Sequence, residues 1–279
     1  MNREKFVERL LFLLALSSVS SLVIITFFIF LEGLPLILHT GFKDFILSSH
    51  WAPTKGFFGI GAMIVSSLLV TLGAMLLGVP LGLACAIVLA EFCSETLRRL
   101  LKPTLELLAG IPSVVYGFLG VIWLVPLIRN YLGGPGLSLL AAAVILGIMI
   151  LPTVISISID ALTAVPDSYR DASIALGATE WQTVRRVVLP AASSGIITAV
   201  ILGMGRAIGE TMAVIMVAGN AIKLPASILD PVRTLTSNIA LELGYAAGRH
   251  REALFATGIV LFIIIMVLNL SATLITRRR

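Results

Sequence analysis

A chain of 279 residues with 58% hydrophobic residues, 13% charged residues and a mean hydropathy of +1.06 cannot be a water-soluble globule. It is an integral membrane protein. Its formal charge of +5 is distributed as membrane orientation requires, so nothing in it asks for nucleic acid.

Six apolar stretches are long enough to cross roughly 30 Å of hydrocarbon at about 20 residues each: residues 10–31, 61–90, 107–128, 137–159, 196–218 and 253–275. The first starts close to Met1 and is followed by no small-residue cleavage site, which predicts an uncleaved helix. Before the second span, Phe42, Phe45, Trp51, Phe57 and Phe58 form an aromatic cluster expected to be an interfacial belt. Cys85 and Cys93, in or just past that span, have no histidine at ligand spacing, and His39, His50 and His250 are scattered. The cysteines are therefore read as packing residues, with no disulfide framework or metal site. Residues 94–102 set Leu97, Leu100 and Leu101 among Arg98, Arg99 and Lys102, a basic amphipathic turn suited to a membrane surface, or simply a solvated loop. Pro112 and Pro126 shorten the third span, and these two with Pro152 are candidate kinks.

Residues 166–190 are a polar interruption between long apolar spans. Pro166 presets a first helical turn, Tyr169, Ala172, Ser173 and Leu176 form one stripe, and Gly177 is placed to end that helix in the left-handed conformation. Thr179 and Gln182 predict a capping box for a second helix ending near Leu189, before Pro190. Helices this short are marginal alone. The small residues leave a surface fit for a groove on another protein, so the hairpin reads as a handle.

The fifth span carries Arg206 and Glu210 four positions apart, predicted to share a helix face beside a Gly205-x-x-x-Gly209 close-approach motif. Each charge costs about 2.5–3.5 kcal/mol facing lipid, so both must face the bundle interior or a wet path. One reading is a salt bridge that pins the helix. The other is a transport-path site in which the forked guanidinium receives an oxyanion and Glu210 holds it when the path is empty. Further on, Leu235, Ile239 and Leu243, with Gly244 as a stop, predict a short surface helix over residues 234–243, placed to meet an external receptor protein.

Lys and Arg cluster at the N-terminus (Arg3, Lys5, Arg9), after span two (Arg98, Arg99, Lys102), in the hairpin (Arg170, Arg185, Arg186) and in the tail (Arg277, Arg278, Arg279). With six spans these share one face, which puts both termini and the hairpin in the cytoplasm. No G-x-x-x-x-G-K-[ST] motif occurs, and the longest connection, residues 219–252, has 34 residues. An ATPase or a solute receptor must come from other chains.

Asp171-Ala172-Ser173, three residues, Gly177, nine residues, then Val187-Val188-Leu189-Pro190 resembles the cytoplasmic "EAA" loop of ABC importer permeases, with Asp for Glu, Ser for the second Ala and Val for Ile. Residues 206–214, followed by Gly219-Asn220, resemble the phosphate permease of the PstC type, as do Glu91, residues 110–117, Leu151-Pro152-Thr153 and residues 243–246. The resemblance implies an all-α, type I ABC importer permease fold with six transmembrane helices and a cytoplasmic coupling helix. It also implies an N-terminal span and external connection over residues 1–60 and a permease core over 61–279. The implied partners are a sister permease, two ATPase subunits carrying ATP and Mg²⁺, a periplasmic or extracellular phosphate-binding protein and the bilayer, with no cofactor in this chain. Arg206 and Glu210 take the family's membrane charges, and Asp171, Ala172, Ser173 and Gly177 its coupling loop. A permease for sulfate or molybdate, and a scaffold that moves no solute, are the alternatives.

Overall fold

The computed structural model describes residues 2–277. The expected tail cations Arg278 and Arg279 lie outside the described residues, as do the side chains of Arg3, Lys5 and Arg277.

Helix α1, Asn2–Thr40, extends the first apolar stretch at both ends, to 39 residues or about 58 Å. Most of its side chains are exposed, as lipid contact allows. Its far half packs on the last helix, where a Cβ on Gly33 would lie 2.6 Å from the Ala256 backbone nitrogen and Phe28 meets Phe255 edge to face at 5.5 Å. Helix α2, Phe42–Leu47, and a hairpin of β1, Trp51–Ala52, and β2, Phe57–Phe58, follow. Phe45, Trp51 and Phe58 are buried in a core shared with the last helix, while Phe42 and Phe57 are exposed. The aromatic group is therefore a packed cap, and the belt reading is corrected.

Helix α3, Gly61–Ile87, continues through a π turn over Val88–Phe92. The expected amphipathic turn at residues 94–102 is the start of a full helix, α4, Glu95–Ala109, capped by the Ser94 side chain. It buries no residue in this chain. The backbone then breaks, because Gly110 closes the helix and Pro112 is extended at φ −57°, ψ 137°. The third span consequently runs over 113–131 rather than 107–128: α5, Ser113–Leu119, a π turn over Gly120–Leu124, and α6, Val125–Tyr131.

Helix α7, Leu139–Thr163, is the most buried span, with Pro152 inside it. It packs along α3 through a seam of small residues: a Cβ on Gly78 would lie 2.6 Å from Ile150 Cγ1 and 2.7 Å from the Gly147 carbonyl oxygen. Without a side chain there the backbones can touch, which is how apolar helices associate where lipid supplies no hydrophobic drive. Cys85 and Cys93 pack, half-buried and free, at the base of this seam.

Helices α8, Asp167–Ala175, and α9, Glu180–Thr183, make the polar hairpin. Its second leg does not stop before Pro190. It runs on through a π turn, Val184–Val188, into α10, Leu189–Ala191, with Pro190 in a first-turn position, and then bends by 70° into α11, Ser193–Gly209. The fifth span, expected as one helix over 196–218, ends at Gly209, and α12, Met212–Val217, continues after a break. Helix α13, Leu235–Glu242, begins on Thr234 as expected, but Leu235, Thr236, Ser237, Asn238 and Glu242 are buried, so it is an inserted helix rather than a surface one. Helix α14, Arg249–Arg277, closes the chain. Among the described residues, five helical stretches are long and apolar enough to span a bilayer, or six with the bent pair counted as one span.

Candidate translocation site and coupling hairpin

Two chain breaks, after α4 and after α11, and the proline-bearing stretch of α7 meet at Arg206. It lies in the last turn of α11, half-buried. One Nη donates to Thr153 Oγ1 at 3.3 Å, next to Pro152 in α7, and the other donates to the Ala109 carbonyl oxygen at 3.2 Å, where α4 ends. Both acceptors are neutral. Backbone that stops being helical at membrane depth is tolerated where it lines a polar cavity, and a cation held there only by neutral groups keeps its charge available to an anion.

The predicted Arg206–Glu210 pair is not formed, and no ion pair to Arg206 occurs among the described residues. The cause is the break at Gly209: Glu210 sits at φ −69°, ψ 134°, off the helix, so the four-residue spacing no longer places the two on one face. Its carboxylate instead accepts from the Ala213 backbone N–H at 3.2 Å, capping α12, and its carbonyl accepts from Thr236 Oγ1 of α13 at 2.9 Å. Glu210 is thus the joint between α11, α12 and α13. Gly205 and Gly209 make no close approach within this chain, since a Cβ on either meets nothing within 4 Å. The other end of α12 is closed by Gly219 and Asn220 at φ +83° and +55°, with Asn220 Nδ2 donating to the Ile215 carbonyl at 2.7 Å.

The turn of the hairpin is built as its spacing predicts, although Pro166 stands just before the first helical turn and the second leg runs on past Leu189. Pro166 caps α8, Gly177 takes φ +85° between the two legs, and the Thr179–Gln182 capping box is complete in both directions. Ser173 is half-buried because its hydroxyl meets Thr183 Oγ1 at 2.9 Å, tying one leg to the other. Asp171, Ala172 and Gly177 are exposed, as are Tyr169, Ile174, Leu176 and Trp181. Leu176, at 90% exposure, is a large apolar side chain that nothing among the described residues covers.

Two charged constellations escaped the sequence reading. Arg170 makes a forked pair with Glu91, through Nη2 to Oε1 at 2.7 Å and Nε to Oε2 at 3.1 Å, with the Glu91 side chain 6% exposed. The hydrogen bond to Glu91 raises the guanidinium above its ordinary pKa, so it stays charged at any working pH. At the other end of the molecule, buried Glu242 accepts from Trp51 Nε1 at 2.9 Å and Arg233 Nη1 at 2.7 Å, and shares a hydrogen bond of 2.8 Å with His250 Nε2. The only local signal for the first was an acid at the foot of an apolar span, and for the second an acid near the end of a short helix.

A bundle of apolar helices, broken beside a cation that has no ion pair among the described residues and carrying an exposed helical hairpin, has the build of a membrane permease. The chain belongs to the family of binding-protein-dependent transport system inner membrane components, whose model matches residues 78–279. As a permease subunit it is not an enzyme, and ATP hydrolysis belongs to a partner ATPase. It is 42% identical over 272 residues to a probable ABC transporter permease, YqgH, of Bacillus subtilis, covering 95% of this chain and 88% of that one. It is 38% identical to the phosphate transport system permease PstC of Mesorhizobium japonicum (79% and 74% covered) and 35% identical to PstC of Pasteurella multocida (84% and 80% covered). Among solved structures, a bacterial ABC transporter involved in alginate import shares the fold at a TM-score of 0.66 and 17% identity over 96% of each chain, and the inward-facing MetNI methionine transporter at 0.59 and 23%, over 76% and 92%.

Proposed function

We propose that this subunit carries inorganic phosphate inward across the bacterial inner membrane, with Arg206 as the group the anion meets at mid-depth. The carrying observation is a membrane-embedded guanidinium whose partners are a hydroxyl and a carbonyl oxygen. Its planar fork suits a tetrahedral oxyanion, and weak neutral partners exchange readily for a charged one. Relatives named as phosphate permeases, matching most of the chain, support the substrate. Glu210 shapes the site by holding the α11–α12 joint next to Arg206.

Both termini and the hairpin lie in the cytoplasm, as the basic residues direct. There Asp171, Ala172, Ser173 and Gly177 present the hairpin to a cleft of an ATPase subunit that binds ATP and Mg²⁺. The working assembly contains this subunit, a sister permease, two ATPase subunits and an external phosphate-binding protein. Anion entry into a negative-inside cell costs about 2.3 kcal/mol per charge per 100 mV, and ATP hydrolysis in trans supplies that work. Closure of the ATPase pair draws the hairpins together and opens the path to the outside.

The test is uptake into proteoliposomes holding the assembled transporter, with each partner omitted in turn. Arg206→Gln is expected to abolish phosphate uptake while the complex still co-purifies; normal uptake would overturn the site. A guanidinium alone does not separate phosphate from sulfate or molybdate, and the Bacillus relative's name specifies no substrate. Preferential uptake of either anion would install the second reading. Altered signalling with uptake of every anion intact would install a scaffold.

A further inference from the structure

The foot of the second span holds both legs of the hairpin. Glu91 and Phe92 are consecutive residues at the end of the Val88–Phe92 π turn. Glu91 takes Arg170 of α8, the first leg, in a two-point grip. Phe92 faces Trp181 of α9, the second leg, with ring centroids 6.4 Å apart. Arg170 also donates to the carbonyl oxygens of Val165 at 2.7 Å and Leu162 at 3.0 Å, at the end of α7. One guanidinium therefore fastens three segments: α3, α7 and the hairpin.

Three features make this a mechanical joint rather than an incidental ion pair. A forked Arg–carboxylate contact fixes orientation as well as distance, whereas a single charge contact allows the helix to pivot. The Glu91 side chain is 6% exposed and that of Arg170 is 19% exposed, so water does not readily compete for the pair. A π turn widens the helix by one residue and re-aims side chains that an unbroken helix would point elsewhere. From this joint the path to Arg206 is short in contacts: α3 is locked to α7 along the Gly78–Gly147 seam, and α7 carries Thr153, which holds Arg206.

We propose that Glu91 is a positioning residue for transport: by clamping Arg170, with Phe92 seated against Trp181, it delivers the motion of the coupling hairpin to the second and fourth spans as one rigid movement. The inference rests on the coupling role given to the hairpin above. Without the clamp, the ATPase still docks and turns over, but the hairpin moves without the spans following.

The experiment uses the whole transporter in proteoliposomes and reads three quantities: ATPase co-purification, ATP hydrolysis, and phosphate accumulated per ATP. Glu91→Gln keeps the size but weakens the grip. It is expected to co-purify normally and to spend at least about tenfold more ATP per phosphate, with Glu91→Asp partly restoring the ratio, a loss of roughly one charge-assisted hydrogen bond. Phe92→Leu touches only a half-exposed ring contact, so it should fold, and should shift the same ratio in the same direction by less. Wild-type ratios in both Glu91→Gln and Phe92→Leu would overturn the clamp while leaving docking intact. ATPase co-purification that survives disruption of the hairpin turn at Gly177 would instead overturn the docking reading itself.

Discussion

Arg206 is set apart by what does not neutralise it. An exposed arginine would gain little from a hydroxyl and a carbonyl oxygen, but at membrane depth these are the groups that make its presence tolerable without fixing it. Arg206→Lys retains the charge and loses the fork, and uptake is expected to fall about ten- to a hundredfold, the equivalent of one to two kcal/mol-scale hydrogen bonds to a charged group, with assembly unchanged in a pull-down. Asp230, in the loop before α13, illustrates a different control. Its carboxylate accepts from the Ala226 N–H at 2.8 Å and the Ser227 N–H at 3.1 Å and pairs with Lys223 at 3.3 Å, and these contacts, the Ala226 bond first, hold its pKa below the usual carboxylate range. A depressed folded pKa means the contribution is fully present above the unfolded value and is lost as pH falls through the lower, folded one. Hydrogen exchange at Ala226 and Ser227 should therefore show protection that persists through mild acid and fails only below the ordinary aspartate range; Asp230→Asn should weaken it already at neutral pH.

At the scale of helices, the decisive contacts are missing side chains. Gly78 lies where the α3 and α7 backbones meet, and Gly78→Val must push Ile150 and the Gly147 carbonyl aside. Overpacking of this kind costs about 1–3 kcal/mol, read as a lower unfolding temperature in detergent. Gly205→Ala meets nothing within 4 Å and should leave that temperature unchanged or slightly raised. The contrast also shows where sequence patterns stop speaking. The Gly205-x-x-x-Gly209 motif makes no close approach within this chain, whereas the α3–α7 seam uses Gly78 and Gly82, a pair of the same spacing that the sequence reading did not single out, so the letters alone do not say which motif packs. The hairpin was legible because its determinants are local: a proline, a left-handed glycine and a capping box act on their own neighbours. Arg206 was legible as a charge out of place in an apolar run. Its relation to Glu210 was not, because the helix stops at Gly209 in a joint where Thr236, from an inserted helix 26 positions later, binds the freed carbonyl. The Glu91–Arg170 clamp joins residues 79 positions apart, a distance at which periodicity holds no information.

Across the whole molecule, forces applied at one end meet anchorage at the other. At the end far from the hairpin, Glu242 ties the inserted helix to Trp51 in the strand hairpin, to Arg233 and to His250 at the start of α14. Glu242→Ala would leave the Arg233 guanidinium, 16% exposed, with only the neutral Asn220 carbonyl and Asn238 Oδ1 as partners; losing the charged partner of a buried pair costs about 3–5 kcal/mol. Limited proteolysis of the purified transporter in detergent should then cut between α12 and α14 faster than in the wild type. At the hairpin end, Gly177 has φ +85° and empty space where a Cβ would stand. What excludes an ordinary residue there is handedness rather than volume. A mirror-image alanine, introduced at 177 by semisynthesis, should therefore leave the turn unstrained, while its natural enantiomer costs about 1–2 kcal/mol. If transport survives the first substitution and not the second, the turn demands a chirality; if it survives neither, the partner surface proposed for the hairpin has room for a hydrogen atom and nothing larger.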